Sequence, residues 1–263
     1  VVVILNIGGV IETDSWKNLP DAILCAWQAG QEGGNSVADI LSGKAYPSGK
    51  LTMTFPVKFE DAASSANFPT EGAMGNLSNM ADPKEKKSDV KLWDYTDYEE
   101  DIYVGYRYFD SFEKQVYPFG YGLSYTTFEY GNPKVKTENG IYTVTVDVKN
   151  TGTQPGKEIV ELYISAPKGG ELNKPEKELK AFAKTKELNP GETTSVTMEV
   201  KAFDLASYNE NSSAWVIDGG NYQFLIGASS RDIKATLDVV VTGGVEKTNN
   251  ILHLQSPINI LKK

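Results

Sequence analysis

Residues 141–152 read IYTVTVDVKNTG: Tyr142, Val144, Val146 and Val148 alternate with Thr143, Thr145 and Asp147, and Asn150-Thr151-Gly152 closes the run. Successive side chains of a strand point to opposite faces, so this alternation sends the valines to a core and the threonines to water. The turn-forming triplet that follows lets the chain reverse. The pattern returns at Ile159–Ile164, at Val196, Met198 and Val200 after the turn Asn189-Pro190-Gly191, and at Trp215–Ile217, Tyr222–Ile226 and Leu237–Val241. Roughly seven short strands in about 115 residues, with turns between them and no helical stretch, predict an immunoglobulin-like β-sandwich.

No Cys–Trp–Cys set accompanies these strands, so the fibronectin type III-like variety is expected over residues 128–242, with a polar tail at 243–263. Upstream the texture is different. Val1–Leu5 is a continuous apolar, β-branched run followed by Asn6 and Gly8-Gly9, and Ala22–Trp27 is a second such run ending at Gln28-Ala29-Gly30. Runs apolar on both faces are those of buried parallel strands. Glu12–Asn18 between them suffices for a helical turn or two. In QEGGNSVADILSG, Asn35 or Ser36 is placed to cap a helix whose Val37, Ile40 and Leu41 share a face and which Gly43 closes. With Lys50–Phe55 as a third strand, the order is βαβ, and residues 1–127 are expected to form α/β structure with a mostly parallel sheet, part of an α/β sandwich. Residues 57–97 lack periodicity and read as a long loop. The aromatic segment YEEDIYVGYRYFDSF (98–112) and the glycine-spaced YPFGYGLSYTTFEY (117–130) lead into the sandwich, the latter as tight turns between short extended pieces.

A net charge of −9 argues against a polyanionic partner such as nucleic acid. With one cysteine, Cys25, inside an apolar run, and one histidine, His253, in the tail, neither a disulfide framework, a Ser-His-Asp triad nor a His-rich metal centre is expected. No metal or other cofactor is predicted. No GxGxxG or GxxxxGK spacing accompanies Gly33-Gly34, so nucleotide binding is not expected. No apolar run reaches membrane-spanning length, and the opening VVVILN, without an initiating Met or a signal-like n-region, reads as the inside of a domain.

Six phrases in order, VVVILNIG (1–8), AILCAWQAGQEGGNSVADILSGKAYPSGKLTMTFP (22–56), YEEDIYVGYRYFD (98–110), YPFGYGLSYTTFEY (117–130), NTGTQPGKEIVELYI (150–164) and KELKAFAKTKELNPGET (177–193), closely resemble family-three glycoside hydrolases of the β-glucosidase type, over Val1 to Val241. The resemblance implies a three-part enzyme of barrel, α/β sandwich and fibronectin-like domain. It implies retaining hydrolysis of terminal sugars by a barrel Asp nucleophile and a Glu acid/base on an α/β-domain loop. Retention requires two carboxyl groups about 5–5.5 Å apart. By the resemblance both precede the strand VVVILN, so no catalytic residue is assigned in this chain, and the chain alone is expected to be inactive. The implied partners are a β-glucoside or oligosaccharide and a barrel domain or chain; a secreted or periplasmic location is the family's expectation.

Cleft-contact candidates within the chain are Gln31, Glu32, Trp93 and Glu99. Gln31 and Glu32 follow a presumed parallel strand and precede a helix, where open α/β sheets place ligands, although ordering the glycine turn is their plainer role. Glu99, Glu100 and Asp101 form an acidic run, from which a salt bridge to Arg107 is expected. Trp93 lies in the long loop and, like Trp16 and Trp27, offers a ring face for sugar stacking or for packing. Asn76-Leu77-Ser78 and Asn211-Ser212-Ser213 match the glycosylation acceptor pattern. Two other readings of the chain are a free-standing carbohydrate-binding or adhesion module, which needs exposed aromatics in a row, and one chain of a two-chain enzyme.

Overall fold

A computed structural model describes residues 1–66, 98–112, 114–249 and 258–262. Trp93, the Asn76 acceptor site and His253 lie outside the described residues. Among those described, no helix is long and apolar enough to cross a membrane.

The sandwich forms as the alternation requires. A three-stranded sheet, β5 (Phe128–Glu138), β6 (Ile141–Asn150) and β9 (Thr193–Lys201), faces a four-stranded one ordered β13 (Asp232–Val241), β12 (Gly220–Ser229), β7 (Ile159–Ser165) and β8 (Glu178–Lys184), with every pairing antiparallel. Val144, Val146 and Val148 of β6 and Val196, Met198 and Val200 of β9 close onto Val160, Leu162, Tyr222, Phe224 and Ile226 from the other sheet. One expected sandwich strand goes elsewhere. Trp215–Ile217 belongs to β11 (Ala214–Ile217), which pairs with β10 (Ser207–Asn209) and β14 (Gly244–Lys247) in a small separate sheet. The sequence pattern marks those residues as extended but carries no information about which sheet receives them.

In the first half, β1 (Val2–Leu5) and β2 (Ala22–Cys25) pair in parallel, from Val2 opposite Ala22 to Leu5 opposite Cys25, and α1 spans Gly33–Leu41. The mostly parallel sheet is not confirmed. Among the described residues β1–β2 is the one parallel pair, and the expected third strand, Lys50–Phe55, shrinks to β3 (Phe55–Pro56), antiparallel to β4 (Gln115–Tyr117). The reason is local: Leu51 donates to the Tyr121 carbonyl at 2.8 Å and accepts from Gly120 N–H at 2.7 Å, so the segment pairs with the downstream glycine turn. Pro56 then removes a donor and ends the ladder. The helix also starts earlier than Asn35 or Ser36, because the Asn35 amide bonds back to Glu32 Oε2 at 2.7 Å. Gly43, at φ 74°, closes it as expected.

The two halves are joined across the outer face of the four-stranded sheet. There Tyr163 of β7 is buried under Tyr106, which lies in α2 (Tyr106–Phe109), and Tyr106 also packs on Phe119. Asp110, whose side chain is 2% exposed, receives Arg231 Nε on Oδ1 at 2.7 Å and faces Lys177 Nζ from Oδ2 at 2.7 Å. Arg231 Nη2 also donates to the Phe109 carbonyl at 3.2 Å, and Ser230 N–H to that of Phe119 at 2.9 Å. Tyr106 Oη accepts from Leu179 N–H at 2.7 Å, Tyr103 Oη donates to Asn173 at 3.0 Å, and Lys50 pairs with Glu158 at 2.8 Å. Removing one member of a buried ionic cluster strands the rest without a counter-charge.

Asp110→Ala is therefore expected to destabilise the chain by about 3 kcal/mol, at the lower end of the range because Arg231 is half-exposed, as read from urea unfolding midpoints. Leu162→Ala, which opens a cavity in the fully buried centre of the sandwich, is expected to cost about 2–5 kcal/mol by the same measurement.

Candidate functional site

Because β1 and β2 run in the same direction, the segments that leave them, residues 6–9 and 26–30, emerge on one edge, tied by Ala26 N–H to the Leu5 carbonyl at 3.0 Å. The carboxyl ends of parallel strands are where α/β folds gather ligands. The Gln28 side chain lies against Gly8, where an added Cβ would come within 3.2 Å of the amide nitrogen. Trp27 sits in the left-handed region at φ 52°, which costs a bulky side chain roughly 1–2 kcal/mol and is typical of constrained sites. Its ring leans on Phe55, which meets Tyr117 edge-on, and Tyr117 stacks on Tyr121. Burial pushes the Cys25 thiol up, against a hydrogen bond from the Trp27 backbone that pulls it back, which disfavours the thiolate.

Of the candidates, Gln31 and Glu32 stand exposed on this edge, immediately before α1 and after Gly30 at φ 73°. Glu32 orders the turn by accepting from Asn35, and its carbonyl takes the first helical bond from Ser36 N–H at 3.0 Å. Glu99 is in the loop before α2, with its carbonyl bonded by Leu261 N–H at 2.7 Å. Among the described residues no hydrogen bond or ion pair links Glu99 to Gln31 or Glu32. Arg107 does not pair with the acidic run: its guanidinium faces Glu178 of β8 at 3.5 Å, because α2 turns it toward the sandwich.

A cavity of about 450 Å³ opens at the junction, lined by Val57, Asp61, Asp110, Phe112 and Arg231 among others. It brings two carboxylates to one space, each with a structural partner. Both oxygens of Asp110 are taken by cations, and Asp61 Oδ2 accepts from Lys58 N–H at 3.1 Å to hold a helical turn. No group of three or more His, Cys, Asp or Glu side chains among the described residues is placed to hold a metal ion.

The residues that organise the junction, Lys50, Asp110, Gly120, Glu161 and Arg231, were not singled out from sequence. One signal was present. Tyr163 falls on the strand face opposite Leu162, and so large an aromatic on a nominally wet face indicates a sheet covered on both sides. A second aromatic group, Trp215 edge-on to Phe203 and to Tyr208, is partly exposed on the small sheet, but its rings meet at about 60° and form no flat strip.

The halves correspond to known families. Residues 1–125 match the glycosyl hydrolase family 3 C-terminal domain, and residues 158–230 match the fibronectin type III-like domain. A relative, beta-glucosidase A of Butyrivibrio fibrisolvens, is 41% identical over 89% of this chain and 29% of its own length. Beta-glucosidase 3B from Thermotoga neapolitana, solved in complex with glucose, superposes with a TM-score of 0.80 at 44% identity over 94% of this chain and 32% of that one. The beta-glucosidase of Kluyveromyces marxianus, also solved with glucose, gives 0.81 at 35% identity over 94% and 27%. The chain thus spans less than a third of the length of these relatives. With both of its domains matched in order, the chain belongs to glycosyl hydrolase family 3 and corresponds to the C-terminal part of its β-glucosidase-type members.

Proposed function

We propose that this chain is the non-catalytic C-terminal portion of a retaining exo-glycosidase that removes terminal β-D-glucosyl or related residues. It walls one side of the sugar cleft with the β1–β2 edge and braces a barrel that carries the nucleophile. The observation that supports this is the contrast between a closed sandwich and an open first half. Val2, Ile4 and Leu19 are 46%, 42% and 82% exposed, and α1 buries no residue. A parallel pair left bare on its faces is the form of a sheet that packs against further protein. Names of the relatives, and the glucose held by two of them, favour a glucoside as substrate.

Retaining chemistry needs an attacking carboxylate and a proton donor across one bond. The two carboxylates of the described cavity have structural partners, and in this reading the family resemblance assigns the nucleophile and the proton donor to parts of the enzyme other than these residues. Gln31 and Glu32, exposed on the β1–β2 edge, are assigned to binding and orientation rather than to bond cleavage.

The purified 263-residue chain is expected to release no measurable product from a chromogenic β-glucoside, and turnover that disappears on mutating an acid of this chain would falsify the assignment. In the whole enzyme, Glu32→Gln is expected to raise KM and to lower kcat/KM by less than about tenfold, whereas loss of an acid or base costs about 10²–10⁴ in kcat. A kcat loss of that size would make Glu32 catalytic.

A further inference from the structure

Glu161 is a carboxylic side chain 4% exposed on the outer face of β7, at the contact between the two halves. Its carboxylate lies over the backbone of Gly120, so closely that a Cβ at that position would overlap it. Its cross-strand neighbours are Phe182 of β8 and Gly227 of β12, neither of which carries charge. The groups facing it are few. Tyr163 Oη donates to Oε2 at 2.6 Å from the same strand, and Lys50 approaches from the segment before β3. Lys50, however, is committed to Glu158, its partner at 2.8 Å, both side chains being about one-tenth exposed. Tyr130 of β5 lies near both glutamates, Tyr106 of α2 packs on Tyr163, and Asp110 and Asp232 add negative charge further off. Around the Gly120 turn two buried carboxyl groups, Glu158 and Glu161, thus share Lys50, while Lys184 of β8 acts on Glu158 from further off and the Asp110–Arg231–Lys177 cluster is matched within itself.

We propose that Glu161 is a pH-dependent latch between the halves: as a neutral acid it packs on the Gly120 turn and holds the α/β half to the sandwich, and its ionisation loosens that turn. A buried carboxylate without its own cation bears an uncompensated desolvation cost, which a proton removes. Desolvation pushes Glu161 from the usual 4.5 up to about 7, with the Tyr163 hydrogen bond and the Lys50 charge acting the other way. Because the packed form binds the proton more tightly than the open form, the latch is firmest below about 4.5 and weakens as pH rises through about 7. The segment that responds is defined by its hydrogen bonds: Gly120 N–H to the Leu51 carbonyl at 2.7 Å, Leu51 N–H to that of Tyr121 at 2.8 Å, and Ser230 N–H to that of Phe119 at 2.9 Å. Since the same turn braces the segment that runs into β3 and Trp27 rests on Phe55, loosening it reaches the base of the cleft edge.

The test is amide hydrogen exchange of the chain, resolved at Gly120, Leu51 and Ser230 and corrected for the intrinsic pH dependence of exchange. Protection there is expected to fall about tenfold between pH 6 and pH 8 in the wild type. It should stay flat in Glu161→Gln, whose neutral amide imitates the protonated acid, while amides in the centre of β6 stay protected in both proteins. A flat wild-type profile overturns the proposal, as does a slope that persists in Glu161→Gln. Failure of Glu161→Gln to fold also overturns it, since a neutral group of that shape must fit.

Discussion

Everything in this molecule depends on one strand being covered on both faces. β7 sends Val160, Leu162 and Ile164 into the sandwich core and Glu161 and Tyr163 into the contact with the upstream half, so five consecutive side chains are buried. Burial of that kind removes apolar area from water twice over, at about 25 cal/mol per Å² on each side, and leaves β7 no freedom to shift register. A slip by one residue would put Glu161 in the core and Leu162 against Gly120.

Polar groups then decide how the upstream half is seated. Hydrophobic contact between Tyr106, Phe119 and Tyr163 has little directional content, whereas Asp110 held between Arg231 and Lys177 admits one placement of the end of α2 relative to the β12–β13 turn and the loop before β8. A buried ionic cluster is a poor source of net stability and a good source of orientation, because any misplacement leaves a charge unpaired in a dry region. Lys50 with Glu158 does the same for the strand that carries Phe55. In this way the sandwich, which holds none of the cleft candidates, sets the position of the β1–β2 edge that holds Gln31 and Glu32.

The remaining asymmetry is functional. The sandwich buries its own core, while β1, β2 and α1 leave apolar side chains in water and a strained Trp27 at their open edge. That combination suits a surface made to be covered by further protein, which is what the proposed role requires.

From the sequence alone, alternation in 141–148 and its repeats determined the sandwich, the apolar runs at 1–5 and 22–27 determined that the opening half is strand and helix, and the ordered motifs determined the family. These are local or one-dimensional properties: hydropathy period, turn residues and motif order can be read without knowing what lies across space. Tertiary structure alone decided that Leu51 bonds to the Gly120 turn while residues 55–56 pair antiparallel with β4, that Trp215 pairs with β14 in a small sheet, that Arg107 meets Glu178 instead of the nearby acids, and that Asp110 and Glu161 are buried. Each of these depends on a partner dozens of residues away. Strand direction, the destination of a charge and the burial of the second face of a strand are set by that partner's chemistry, which no local window contains.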